Sequence, residues 1–241
     1  MINSTIHLFE FARRAPSLQL PEFAARWRDF HGERIAGDPS VLQASVLTRM
    51  DGGGPGEIDG AVELWFASPE EHERYRARRA ADSRARAGLA DLLAEPPGPP
   101  LVTRDRAILH RGPLAAGDGL VKLLYVLKRA AGLSLEHFSR YYEHVHTLYS
   151  TRPPFQRNYV QAHRLPGAAG GESGFDGVSC IWFEDRLDME GYLASEELED
   201  GVADCRRFLD LASFFSLAGV EQRLRWLPEP ARAPGRAESP R

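Results

Sequence analysis

Two histidines close two similar stretches of chain. Phe23 to His31 reads FAARWRDFH and Phe138 to His146 reads FSRYYEHVH, 115 residues further on. In the second stretch Phe138, Tyr142 and His146 recur every four residues, so on a helix they share one stripe. An imidazole on a stripe turned towards a sheet titrates near neutrality and can shuttle a proton. His31 holds the matching place beside Phe23 and Trp27. The competing reading for both is a helix-end histidine, favoured by the dipole and bonded to a carbonyl. His144 and His146 do not form a metal pair, because positions i and i+2 point about 200° apart on a helix. There is no His-Glu-x-x-His pattern and no carboxylate cluster, so no metal site is expected.

Tyr159, Gln161 and His163 alternate with Val160 and Ala162, which puts three polar groups on one strand face. That is the pattern of a polar cavity wall, or of an exposed sheet edge. The first copy has Val41, Gln43 and Ser45 at these places. His146, Tyr159 and His163 are therefore the expected catalytic groups, in a site biased to residues 119–217. Glu63 shares a face with Ala61 and Trp65, where Cys180 shares one with Val178 and Trp182. Inside a barrel such a carboxylate would act as an acid or base with a raised pKa, or else be paired with an arginine. Lys122 and His7 are equivalent, near the starts of two first strands, and either could meet an anionic group. His31, Glu63, Trp65, Lys122, Tyr125, Tyr142, Gln161 and Trp182 make up the expected substrate-binding set.

These groups need elements to hold them. In the second half, Leu120 to Arg129 reads as a buried strand and Ser134 as the N-cap of a helix that Pro153-Pro154 stops. Asn158 to Leu165 and Val178 to Phe183 read as strands, Leu187 to Leu211 as a helix and Phe214 to Leu224 as a last strand. The first half repeats this order: strands at Thr5–Phe11, Val41–Leu47, Ala61–Phe66 and Val102–Leu109, with helices at Pro21–His31 and Glu70–Leu93. Asp59-Gly60-Ala61-Val62-Glu63-Leu64-Trp65-Phe66 matches Asp176-Gly177-Val178-Ser179-Cys180-Ile181-Trp182-Phe183, now 117 residues apart. The order β-α-β-β-α-β in each half is the ferredoxin-like unit. The expected class is α+β: tandem ferredoxin-like repeats, 1–110 and 119–227, with a linker at 111–118 and a disordered tail at 228–241. The two sheets are expected to face each other and enclose a small-molecule cavity, making a dimeric-type α+β barrel within one chain.

Composition removes several function classes. At 241 residues, net charge −4 and pI near 6.1, the chain lacks the electrostatic footprint of a nucleic-acid binder. No apolar run is long enough to cross a bilayer, so no membrane partner is expected. The opening Met1 to Thr5 lacks the basic region and apolar stretch of a secretory signal. Cys180 and Cys205 have no counterparts in the first half, which argues against a disulfide framework and for a reducing, cytoplasmic setting. No Gly-x-Gly-x-x-Gly fingerprint, P-loop or Gly-x-Ser-x-Gly elbow is present. The Gly-rich runs at 51–56 and 167–174 lie between strands, where a phosphate cradle is not built.

The string LVKLLYVLKRAAGLSLEHFSRYYEHVHTLY (120–149), with RNYVQAHRL (157–165) and FDGVSCIWFED (175–185), resembles an EthD-type domain of the dimeric α+β barrel superfamily. The resemblance covers residues 119–217, and extends to 5–100 through FAARWRDFHGE and IDGAVELWFASPEE. It implies the barrel fold. The superfamily hosts isomerases, cyclases, dehydratases, cofactor-free oxygenases, haem enzymes and binding proteins, so it leaves the reaction to the site. The expected function is a cofactor-independent enzyme that moves a proton on an apolar or polyketide-like molecule in the barrel, by cyclisation, isomerisation or dehydration. The alternative is a non-catalytic binding or accessory protein. Fusion supplies the second sheet, so either a monomer or a homodimer is expected.

Overall fold

β1 (Ile6–Ala12) is buried on both sides, Ile6 and Leu8 on one and His7 and Phe9 on the other. A strand with two buried faces needs a layer against each. In the computed structural model, which describes residues 5–50, 58–112, 120–167 and 174–226, helices supply the outer layer and the other strands enclose the inner one. The runs at 51–56 and 168–173, the link from 113 to 118 and the tail 228–241 lie outside the described residues.

After β1 come α1 (Leu20–Ala36), β2 (Val41–Arg49), β3 (Gly60–Phe66), α2 (Pro69–Ala81), α3 (Ser83–Ala90) and β4 (Leu101–His110). The second half runs β5 (Val121–Leu127), α4 (Leu135–Tyr141), a π-helical turn (Tyr142–His146), α5 (Thr147–Ser150), β6 (Asn158–Arg164), β7 (Gly177–Phe183), α6 (Arg186–Leu193), α7 (Glu196–Cys205) and β8 (Phe215–Arg225). Ser134 caps α4 as expected, accepting from the His137 backbone N–H at 3.1 Å. The long helices expected at Glu70–Leu93 and Leu187–Leu211 each break in two. Asp82 ends α2 and its side chain caps α3 by accepting from Ala85 N, so a capping residue inside the periodic run restarts the helix. Ser195 holds the same place before α7 with an extended backbone.

The strands close into one antiparallel barrel in the order β1-β3-β2-β8-β5-β7-β6-β4. Two sheets stacked face to face were the expectation; instead the halves join edge to edge, through β2–β8 and β4–β6. Each four-stranded half has two edges of unpaired N–H and C=O groups, and mutual pairing covers both edges. Pleating then sorts the side chains. Phe9, Leu47, Ala61, Leu124, Ala162, Cys180 and Trp182 pack inside, while Leu8, Val46, Val62 and Leu64 pack outwards against Phe23, Trp27 and Ile35 of α1.

The repeated Asp-Gly motif has a mechanical role. Asp59 accepts from Arg14 Nη1 at 2.8 Å and Arg49 Nη2 at 2.7 Å, and from the Arg14 backbone N–H at 3.0 Å. Asp176 accepts likewise from Arg129, through both side chain and backbone, and from Arg164 Nη1 at 3.1 Å. Each buried aspartate thus ties the exit of its half's first strand to the end of the second.

Gly219 marks the tightest point of the β2–β8 seam. A Cβ there would stand 2.0 Å from the Thr48 carbonyl oxygen. Gly219→Ala should lower unfolding stability by about 3 kcal/mol, since overpacked backbone must shift; urea denaturation of the two proteins measures this. A variant of unchanged midpoint would mean that the seam yields without cost.

Candidate functional site

Among the described residues, side chains fill the middle of the barrel. An eight-stranded barrel is just wide enough for its own side chains to fill, and here charged ones occupy the middle. Lys122 Nζ donates to both oxygens of Glu63 at 2.7 Å and to Glu221 Oε1 at 2.9 Å, with no exposure at all. The Trp182 ring lies 4.3 Å from the same ammonium. His7 Nδ1 bonds Asp105 Oδ1 at 2.9 Å, and its Nε2 stands 3.3 Å from Glu63 Oε2. The two halves build this centre alike. Trp65 Nε1 donates to Asp105 at 3.1 Å, and Trp182 Nε1 donates to Glu221 at 3.2 Å. Glu63 bridges the halves, touching the base from each. Glu63, Trp65, Lys122 and Trp182, expected among the substrate-binding residues, meet here in a packed ionic core. Glu63 is neither a lone acid nor an arginine partner: it is paired with Lys122.

Lys122 and Arg223 are the two cations of this centre; Glu63, Glu221 and Asp105 are its three carboxylates. A protonated His7 makes it neutral, and the environment favours that form. Burial alone would lower the His7 pKa, yet Asp105 and Glu63 outweigh it and raise the value above 6.5. Burial also opposes ionisation of Asp105 and Glu221, but His7 and Lys122 respectively hold them below the ordinary carboxylate range.

The second half's helix–sheet seam holds the other polar groups. Tyr159, Gln161 and His163 do share a face, but it turns outwards beneath α4 and the π turn. Inward parity on β6 belongs to Val160 and Ala162, the latter paired with Asp105. Tyr142 OH bonds Ser179 Oγ at 2.7 Å, and Tyr159 OH lies 3.3 Å from the same oxygen. Gln161 Nε2 reaches Tyr159 OH at 3.1 Å, and Gln161 Oε1 reaches His163 Nε2 at 3.3 Å. The three expected catalytic groups gather round Tyr142, whose ring centroid is 5.0 Å from that of His163 and 6.0 Å from that of His146. Tyr125 also faces outwards, stacked on Phe214 at 5.4 Å, with its hydroxyl pushed up to about 12 by burial.

His146 is held differently from its neighbours. Its Nδ1 lies 2.9 Å from Asp204 Oδ2 on α7, and Tyr141 OH donates to the other carboxylate oxygen at 2.7 Å. Nε2 is left for another partner. Burial lowers the His146 pKa against the pull of Asp204. The π turn widens the helix at Tyr142–His146, and side chains take up the displaced carbonyls: Gln161 Nε2 donates to Tyr142 O at 2.9 Å and Thr147 Oγ1 to Glu143 O at 2.7 Å. In the first half α1 is regular throughout. His31 is buried between Trp27 and Phe30 with Nε2 unpartnered. Burial, then Arg79 and Arg34, press its pKa well below 6.5. Here the repeat offset is 116, which aligns Leu92-Leu93 with Phe208-Leu209, so Gly88 stands where Asp204 stands and His31 has no orienting carboxylate.

Asp204, Glu221, Asp105 and Ser179 are absent from the sequence-based set. Asp105 and Glu221 carried a readable signal: each is an acid at inward parity on a half's last strand, 116 residues apart. Asp204 carried none, since only the docking of α7 brings it to His146. Among the described residues no group of three metal-binding side chains forms, Cys180 and Cys205 are free thiols, and no helix is long and apolar enough to cross a membrane.

Residues 130–212 match the EthD domain family. No curated protein matches the chain. Among solved structures, an anthrone oxidase-like protein is 12% identical with a TM-score of 0.64, over 92% of this chain and 94% of that one. A Fusobacterium nucleatum protein, provisionally described as a monooxygenase, is 7% identical with a TM-score of 0.60, over 95% and 96%. A chlorite dismutase from Candidatus Nitrospira defluvii is 12% identical with a TM-score of 0.52, over 93% of each. At such identities the likeness is one of fold: an α+β protein with an eight-stranded antiparallel barrel.

Removing one charge from the interior should be costly. Lys122→Met leaves Glu63 and Glu221 buried without their cation and should destabilise by about 3–5 kcal/mol. Adding Glu63→Gln should recover part of that loss in urea unfolding; no recovery would mean that the two are not coupled. The raised His7 contributes stability in full below pH 6.5, and loses it as pH rises through the higher folded value. The depressed Asp105 and Glu221 contribute above 3.8 and 4.5, their ordinary values, and lose it as pH falls through the folded ones. Thermal unfolding against pH should therefore decline above 6.5, and His7→Asn should flatten that decline.

Proposed function

We propose that the protein is an acid–base enzyme for an apolar, ring-bearing small molecule, with His146 as the group that moves the proton. The observation that carries this is the His146 Nδ1–Asp204 Oδ2 contact of 2.9 Å at the end of a π-helical turn. A carboxylate on one nitrogen fixes the ring and its tautomer and leaves Nε2 as the base. The lowered pKa keeps the imidazole neutral at neutral pH, the form a base requires. Substrate would approach at the helix–sheet seam of the second half, the half that matches the EthD domain, because the barrel itself is filled. Tyr142 and His163 would flank it. We read the two halves as tandem ferredoxin-like units, on the strand orders β4-β1-β3-β2 and β8-β5-β7-β6, and the chain as a self-contained monomer.

Loss of a proton from an acidic C–H or O–H begins cyclisation, isomerisation and dehydration alike, and these side chains can carry that step without a cofactor. The neighbour described as anthrone oxidase-like fits an aromatic, polyketide-like substrate. A second reading, a binding protein without catalysis, has one observation in its favour. Tyr159, Ser179, Gln161 and His163 satisfy one another in a closed chain rather than aiming at a common point.

Turnover of hydroxylated anthrones and related polycyclic ketones tests the proposal. His146→Ala should lower kcat/KM by about 10²–10⁴-fold, and His31→Ala far less. The acid limb of the pH profile should lie below 6.5, following the lowered His146 pKa, and Asp204→Asn should move it lower still by removing the one contact that raises it. Unchanged turnover in His146→Ala would remove the proposed base, and equal losses from both histidines would show that the asymmetry of the halves is drift.

A further inference from the structure

The first half holds an apolar cleft. It has a volume of about 700 Å³ and lies between β1, α2, α3 and the Pro96–Pro100 turn, with Leu8, Leu89, Leu93 and Pro97 among its walls. The repeat explains why it is open. At the repeat offset Gly98 stands where Phe214 stands, and Glu10 where Tyr125 stands. In the second half Phe214 stacks on Tyr125 at 5.4 Å. In the first, a Cβ on Gly98 would meet nothing within 4 Å. The aromatic plug of one copy is a space in the other.

The polar groups of this space fall into two classes. Glu10, Arg79 and Tyr75 satisfy one another: Arg79 Nη1 donates to Glu10 Oε1 and, at 3.2 Å, to Tyr75 OH. Arg76 is paired with Glu73 at 2.7 Å, and Glu95 with Arg13 at 3.4 Å. His72 and Arg86 remain. His72 is only 4% exposed, lines the cleft and has no partner for Nε2. Arg86, exposed, also lines it, and among the described residues no carboxylate is paired with its guanidinium. Burial lowers the His72 pKa, so its imidazole is neutral at neutral pH and offers one N–H and one lone pair. A ligand that answers both groups has an apolar body and an anionic acceptor.

We propose that this cleft is a binding site for an apolar organic acid, its body against Leu8, Leu89, Leu93 and Pro97 and its carboxylate drawn to His72 and Arg86. The volume lies within the ordinary range of small-molecule sites, roughly 300–1,000 Å³. The site is separate from His146 and does not depend on that residue's role.

Fluorescence titration of the full chain with anthracene-9-carboxylate, and with its neutral analogue 9-anthracenemethanol, tests this. Saturable binding of the acid at one site per chain is expected, weaker for the alcohol. Gly98→Phe, which installs the plug of the second half, should weaken the acid by about tenfold or more, equivalent to 1.4 kcal/mol. Ala80→Trp, on the exposed cleft wall, should do the same and guards against a folding defect in the first variant; thermal unfolding confirms that both are folded. Arg86→Gln should weaken the acid by about fivefold and leave the alcohol unchanged, as expected for a solvent-screened charge. His146→Ala should bind as the parent does. Three results would overturn the proposal: no saturable binding, binding that survives both cleft-filling variants, or equal affinity for acid and alcohol.

Discussion

One buried carboxylate holds the two halves in register. Glu63 takes two hydrogen bonds from Lys122 and lies 3.3 Å from His7, so it touches the first strand of each half. The backbone pairings alone do not fix the barrel, because a slip of one residue at either seam would still make hydrogen bonds. Such a slip would turn Glu63, Lys122 or Glu221 towards the apolar helix layer, where a charge without a partner is expensive. The ionic core adds little net stability over an apolar one, since desolvation offsets most of the attraction. What it supplies is discrimination between registers. Its neutrality also ties the fold to the protonation of His7.

Around that shared centre the halves have diverged on their outer faces. In the first, α1 is regular, His31 has no carboxylate and Gly98 leaves a cleft beneath α2 and α3. In the second, the π turn displaces the helix end, Asp204 orients His146, and Tyr125 with Phe214 fills the space equivalent to the cleft. The inner faces resist such change because the ionic centre they share draws on both halves. The helix–sheet seams draw mainly on one half each, with Leu224 and Arg225 of β8 reaching across to α1. Function is accordingly sought at the seams and not in the barrel.

Periodicity and the internal repeat determined a great deal unaided. The order of strands and helices, Ser134 as a helix cap, and the equivalence of His7 with Lys122 and of Glu63 with Cys180 were all legible, because each depends on neighbours a few residues away or on a nearly constant offset. Which way β6 faces was not. Alternation shows that Tyr159, Gln161 and His163 share a side; it cannot say whether that side is the interior or the helix layer, because both are buried. Closure of the barrel through β4–β6 decided it, by placing Ala162 beside Asp105 on the inside. Asp204 and Glu221 acquire their roles from contacts across 58 and 99 residues, with His146 and Lys122. No local pattern records such distances; only the packing of α7 and the final β8 strand brings the charges together.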